Sequence, residues 1–276
     1  MRGAVSGGMG LAIHELGLAD RFDAVYGSSA GALNGLWLIG GRVEDGIHTW
    51  TDRGLGKVVM DKRRIFGSRP IVDMRTVIEQ HYERISPGLF QAALDANTEF
   101  HPLATDIETG QAVDLHRQVL DRESLILALR ATSTLPLIGG PPVDFNGRQY
   151  LDAGLSAAIP FRAAIADGAT HLLLLRSRKA GDLAGAPSGI GGRLTKRMLG
   201  RISPAVQAGY VTRATREGAD EEFLDRHATE TGLTPSILQI RPRPESAVPS
   251  RLESNMDVVR AGLESGRLAA RATLTA

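Results

Sequence analysis

The sequence has no cysteine. That excludes disulfide bonds, a thiolate nucleophile and any cysteine-ligated metal, and it is compatible with a reducing cytoplasm. Nor is there an excess of one charge: 32 Lys and Arg stand against 31 Asp and Glu, a formal net charge of +1. There is thus no electrostatic case for nucleic acid as a partner, and only local basic clusters could favour an anionic surface. Long hydrophobic runs are missing as well. The most apolar windows, residues 30–39 and 172–175, fall far short of the roughly 20 residues of a membrane span. The N-terminus has one arginine and then mixed Gly, Ala and Val, with His14 and Glu15 arriving early, so it lacks the apolar core of a signal peptide. No internal repeat is visible. The expectation is a soluble, cytoplasmic protein.

What is present fits one large α/β unit of 276 residues. Residues 8–16 read as a helix, with Met9, Ile13 and Leu16 at helical spacing and Gly17 after its end. "RFDAVY" is a short strand, "GSSAG" a turn and "ALNGLWLIG" an apolar helix. Helices are predicted over 42–52, over 73–84 with Asp73 as N-cap, and over 123–131. "EFHPLATDIETGQAVDL" reads as strand, turn and strand, and Asn146-Gly147 marks a hairpin. Pro160 opens a helix that ends at Gly168. "HLLLLRS" is continuously apolar, as a central strand covered on both faces would be. The alternation predicts a mostly parallel central sheet sandwiched by helices, with a helical C-terminal extension. Residues 179–193, rich in Gly and Ala, are read as a mobile linker or lid. A last helix is expected over 250–270. The stretch 57–69 interleaves Lys and Arg with Val, Ile and Phe, and reads either as a lipid-headgroup surface or as a solvated face.

Gly27-Ser28-Ser29-Ala30-Gly31 matches G-x-S-x-G at a strand-to-helix junction. Such a turn is tightly packed, so a Cβ at either Gly27 or Gly31 is expected to clash, and it lifts the Ser29 hydroxyl to the positive end of the next helix. A serine hydroxyl needs a base within hydrogen-bond reach. Ser29, Asp152 and either His171 or His227 would follow the chain order of an α/β-hydrolase triad. Asp152, in "YLDAGL" just after a short strand, is the alternative: burial would raise its pKa and make it a more useful base.

These residues together resemble the patatin-like phospholipases, lipid acyl hydrolases with a PNPLA domain. The resemblance is carried by "GLAIHELGLADRFDAVYGSSAGALNG", "HPLATDIETGQAV" and "ALRATSTLPLIGGPPVDFNGRQYLDAGLSAAIPF", in that order. It covers residues 1–165, and residues 166–276 are the C-terminal part of the same unit. It implies a Ser–Asp dyad with Ser29 as nucleophile and Asp152 as proton acceptor. It also implies acyl-enzyme cleavage of phospholipids or other lipid esters, no cofactor or metal, and transient contact with a membrane surface. Asp152-Ala153-Gly154 has alanine where the family motif usually has glycine, so Ala153 must have negative φ. The family's glycine-rich oxyanion loop, with its preceding strand, is represented here only by Met1, Arg2 and Gly3. By resemblance Arg2 would organise that loop or meet a phosphate. The expectation is that Met1 is internal to a longer protein; the alternatives are a truncated, impaired form that binds lipid without turnover, or an esterase with a histidine base.

Overall fold

The computed structural model describes residues 1–61, 63–64, 67, 69–182 and 189–276. The chain opens with α1 (Gly3–Glu15), then β1 (Ala24–Ser28), α2 (Ala30–Ile39), α3 (Val43–Thr51) and α4 (Arg53–Val59). A short α5 (Met74–Thr76) continues through a π-turn (Val77–His81) into α6 (Tyr82–Ile85), followed by α7 (Leu89–Leu94). Next come β2 (Glu99–Asp106), β3 (Ala112–Asp114), α8 (Arg122–Ser133), β4 (Val143–Phe145), β5 (Arg148–Asp152), α9 (Phe161–Ala166) and β6 (His171–Leu175). The C-terminal part holds α10 (Gly189–Ile202), α11 (Pro204–Thr229), β7 (Ser236–Ile240) and α12 (Met256–Leu274).

Local chemistry sets several of these boundaries. The Asp73 carboxylate accepts the Thr76 amide at 2.9 Å, capping α5 as its sequence predicts. Asp121 and Ser124 form a reciprocal capping box at the start of α8. Asn146 (φ +53°) and Gly147 (φ +75°) take the left-handed conformations of a tight hairpin between β4 and β5. The first helix begins at Gly3, earlier than periodicity alone suggests, because its glycines are packing sites rather than a start signal. A Cβ on Gly8 would lie 1.9 Å from the Leu263 carbonyl oxygen, and one on Gly266 would lie 1.9 Å from that of Val5. Glycine on both helices therefore lets α1 and α12 press backbone to backbone.

The main sheet is organised around β2, which is buried along its length except at Glu99. Leu103 pairs with Ser28 of parallel β1 and with Asp114 of antiparallel β3; the next residue, Ala104, pairs with Val113 of β3 and with Asp152 of antiparallel β5. A strand residue has two edges, so β1 and β5 share one edge of β2 and approach it end to end. Their last residues, Ser28 and Asp152, lie opposite adjacent positions of β2.

The α/β class holds, but the pairing is mixed rather than mostly parallel. Its strands include the β4–β5 hairpin and the β2–β3 return, and short connections of this kind enforce antiparallel pairing. The expected central place of β6 is also corrected. It pairs in parallel with β7 in a separate two-stranded sheet, and Leu174 is its one buried residue. Among the described residues β1 pairs with β2 alone, so its ladder does not continue to β6. Residues 23–28 and 172–177 instead both line a cleft of about 1460 Å³, which Ser29 and Asp152 also line.

Two sequence segments fall partly outside the described residues. In the 57–69 stretch, positions 62, 65, 66 and 68 do so. Of its remainder, Val58 and Val59 pack against the core, while Arg64 donates to the Val58 and Pro70 carbonyls and pairs with Asp73. In the 179–193 stretch, residues 183–188 lie outside the described residues, and α10 begins at Gly189.

Candidate active site

Ser29 occupies the single position between β1 and α2, with φ +54° and ψ −123°. That conformation is strained for a residue with a Cβ, by about 1–3 kcal/mol, and persists where the surroundings over-determine it. Here the strand pairing of Ser28 fixes one side. On the other, the Ser29 amide donates to the buried Thr132 hydroxyl at 2.9 Å. Gly27 is required: a Cβ there would lie 2.4 Å from Ala32 Cα. Gly31 is not, and the expected clash is corrected. A Cβ at Gly31 would meet no atom within 4 Å, because the position opens onto the cleft.

The Ser29 hydroxyl donates to Asp152 Oδ2 at 2.5 Å. The other carboxylate oxygen, Oδ1, accepts the Gly154 amide at 2.8 Å. Gly154 must come this close, since its Cβ would stand 2.8 Å from the same oxygen. Ala153 has no positive φ, so alanine fits the middle position of the motif without strain. The backbone of Asp152 is pinned on both sides, its amide to the Thr134 carbonyl and its carbonyl to the Thr105 hydroxyl. Only 4% of Asp152 is exposed. Burial raises its pKa above the ordinary carboxylate value, against the opposing pull of the Ser29 and Gly154 hydrogen bonds and of Arg251 and Arg213.

Two helix N-termini converge on this pair. The first amides of α2, Ala30 and Gly31, have no acceptor within their own helix and carry the positive end of its dipole. The start of α1 packs directly against them: a Cβ on Gly3 would lie 2.5 Å from Ala30 Cβ and 2.6 Å from the Trp50 ring. A polar relay locks this contact, with Asn34 Nδ2 donating to the Gly3 carbonyl and Trp50 Nε1 donating to Asn34 Oδ1. Sequence inspection misses Thr132, Asn34 and Trp50, because nothing local marks them; only the packing of α1, α3 and α8 onto α2 assembles them.

Arginines gather on the same cleft. Arg178 and Arg213 share Glu217, at 2.8 and 2.7 Å, and Arg2 and Arg251 line the cleft beside them. Arg2 Nε and Arg213 Nη2 are buried with no hydrogen-bond partner among the described residues. Burial and the neighbouring guanidiniums lower the pKa of both Arg2 and Arg251. Arg2 therefore sits in a like-charged cluster with donors to spare.

His101, His116 and His171 line the cleft, but each is engaged away from the Ser29–Asp152 pair or exposed. His171 is exposed at the start of β6 and meets the Thr170 hydroxyl, while His227 stacks on Phe223 and bonds its carbonyl oxygen. His101 is held by Asp114 and Glu99. Among the described residues no histidine bonds to Ser29 or Asp152, and the serine reaches the aspartate directly.

A serine on a strained strand-to-helix turn is thus bonded to a buried carboxylate from a second strand of an α/β fold. The chain belongs to the patatin-like phospholipase family, whose model matches residues 1–165. A search of curated proteins gave no match. Among the described residues no helix is long and apolar enough to cross a membrane.

Proposed function

We propose that this protein hydrolyses acyl esters of lipids, with Ser29 as nucleophile and Asp152 as general base. The observation that carries this reading is the direct 2.5 Å hydrogen bond from the Ser29 hydroxyl to the buried Asp152 carboxylate. Asp152 takes the hydroxyl proton as Ser29 Oγ attacks the ester carbonyl carbon. The carbonyl oxygen becomes an oxyanion facing the first amides of α2, at the positive end of that helix. Collapse expels the alcohol portion, which receives the proton from Asp152, and leaves an acyl group on Ser29. Water then attacks the acyl-enzyme, giving its proton to Asp152, and the fatty acid departs as Ser29 recovers its hydrogen.

The arginines of the cleft favour a substrate with an anionic headgroup. Arg2, Arg213 and Arg251 all line the cleft, and guanidiniums pair well with a phosphate. Phospholipids are therefore the expected substrates over neutral glycerides.

The test is hydrolysis of a soluble short-chain ester and of a phospholipid in micelles. Wild-type protein cleaves both, and Ser29→Ala, still folded, cleaves neither. Equal turnover by Ser29→Ala would overturn the proposal. So would a lack of turnover in a folded wild-type protein that still binds lipid; that result fits a binding protein of this fold.

A further inference from the structure

The helix α10 has a composition unlike the rest of the molecule. Its fourteen residues, GIGGRLTKRMLGRI, include Arg193, Lys196, Arg197 and Arg201 and no acidic residue. The chain as a whole is balanced to within one charge, so this is a local concentration. Its apolar residues are divided between two faces. Leu199 is fully buried and packs with Leu151, Leu155 and Val206, which fastens the helix over the segment carrying Asp152. Ile190, Leu194 and Met198 recur at every fourth position and so form a stripe along one side. They are exposed by 84%, 56% and 37%. Large apolar side chains are seldom left in water in a row, and here the row runs beside four cations.

We propose that α10 is a membrane-docking helix that seats the protein on an anionic lipid surface. Ile190, Leu194 and Met198 enter the boundary between headgroups and acyl chains, while Arg193, Lys196, Arg197 and Arg201 meet lipid phosphates. Charge complementarity selects this occupant. A protein partner with a neutral apolar groove would leave the four cations unmatched, and an anionic bilayer matches both features at once. The helix is short, and its basic residues supply the second signal that marginal apolar insertion needs. Its position gives the docking a purpose. Through Leu199 it rests on Leu151 and Leu155, on either side of Asp152 in the chain, and Leu155 itself lines the cleft, so an interface held at α10 lies close to the site. This inference rests on the lipid-hydrolase reading for its purpose, but not for its test.

The test uses flotation of the full chain carrying Ser29→Ala, so that binding is read without turnover. Vesicles of phosphatidylcholine alone are compared with vesicles containing phosphatidylglycerol. The protein is expected to float with the anionic vesicles, and binding should fall with added salt. Arg193→Glu with Arg197→Glu should lower the affinity for anionic vesicles by about fivefold or more per residue changed. Leu194→Ser with Met198→Ser should abolish binding at low and high salt alike. All four positions are exposed, so thermal melting should be unchanged, and this separates loss of docking from loss of fold. On an otherwise wild-type background the same variants should keep turnover of a soluble short-chain ester and lose it on vesicles. Binding that is indifferent to both pairs of substitutions overturns the proposal. So does the absence of binding to anionic vesicles in a monomeric protein. A dimer that the serine pair converts to monomer, with no vesicle binding, assigns the stripe to a second copy of the chain and overturns it equally. Failure of Ser29 to turn over any ester would leave these binding results standing, so the two readings fail separately.

Discussion

At the scale of single residues, the site couples stability to chemistry through one carboxylate. Burial is the leading cause of the raised Asp152 pKa. A carboxylate whose folded pKa exceeds its unfolded value binds its proton more readily when folded. Its contribution to stability is therefore greatest below the unfolded pKa and is lost as pH rises through the folded one. Asp152→Asn, which retains an oxygen to accept the Gly154 amide, should melt at the same temperature as wild type in acid and at a higher one at neutral pH. The same substitution removes the base and should lower turnover by about 10²–10⁴. Melting curves at several pH values, set beside turnover, check both; a variant less stable than wild type at neutral pH would contradict this account of the burial. Turnover of wild-type protein should rise with pH across the same window, because only the ionised carboxylate takes the Ser29 proton. Thr132→Val leaves the partly buried Ser29 amide without its acceptor. Chemical denaturation should show a loss of about 1–3 kcal/mol.

At the scale of elements, the two glycines of the Ser29 turn make opposite predictions. Gly27→Ala forces a Cβ into the backbone of Ala32 and should prevent the turn from forming, whereas Gly31→Ala projects into open cleft and should leave the melting temperature unchanged. Gly8→Ala and Gly266→Ala each drive a Cβ into a carbonyl across the α1–α12 contact and should destabilise by roughly 1–3 kcal/mol or more. Much of this level was legible in the sequence. Asp73, Asn146-Gly147, Pro160 and Gly168 act through local geometry, so the elements they bound can be read one residue at a time. The start of α1 was not legible. Helical periodicity marks only residues from 8 onward, and it is Trp50, Asn34 and Leu263, distant in sequence, that make glycine the fitting residue at Gly7 and Gly8. The apolar run of β6 misled for a related reason: its two faces pack on α11 and on the α1–α12 pair, and this partial cover takes the place of a neighbouring central strand.

At the scale of the whole molecule, the site is a product of register. Leu103 and Ala104 of β2 hold Ser28 and Asp152 at adjacent places on one edge, so two strands far apart in the chain end at the same point. Motif order names Ser29 and Asp152, but not the end-to-end meeting of β1 and β5 that joins them. The amphipathic α10 went unread in the sequence because its stripe matters only once Leu199 is known to face inward and Ile190 outward. The C-terminal part is tied to the same unit by α12 against α1. A chain ended before Met256 would bare Val5, Met9 and Ala12 and should lose turnover together with its cooperative melting transition.

The most direct test of the central claim is the rate of labelling by a fluorophosphonate, followed by intact mass and by mapping of the modified peptide. The account predicts one adduct, on Ser29, absent from Ser29→Ala and formed about 10²–10⁴ times more slowly in Asp152→Asn. Labelling of Asp152→Asn at the wild-type rate, or an adduct on any other serine, would contradict it.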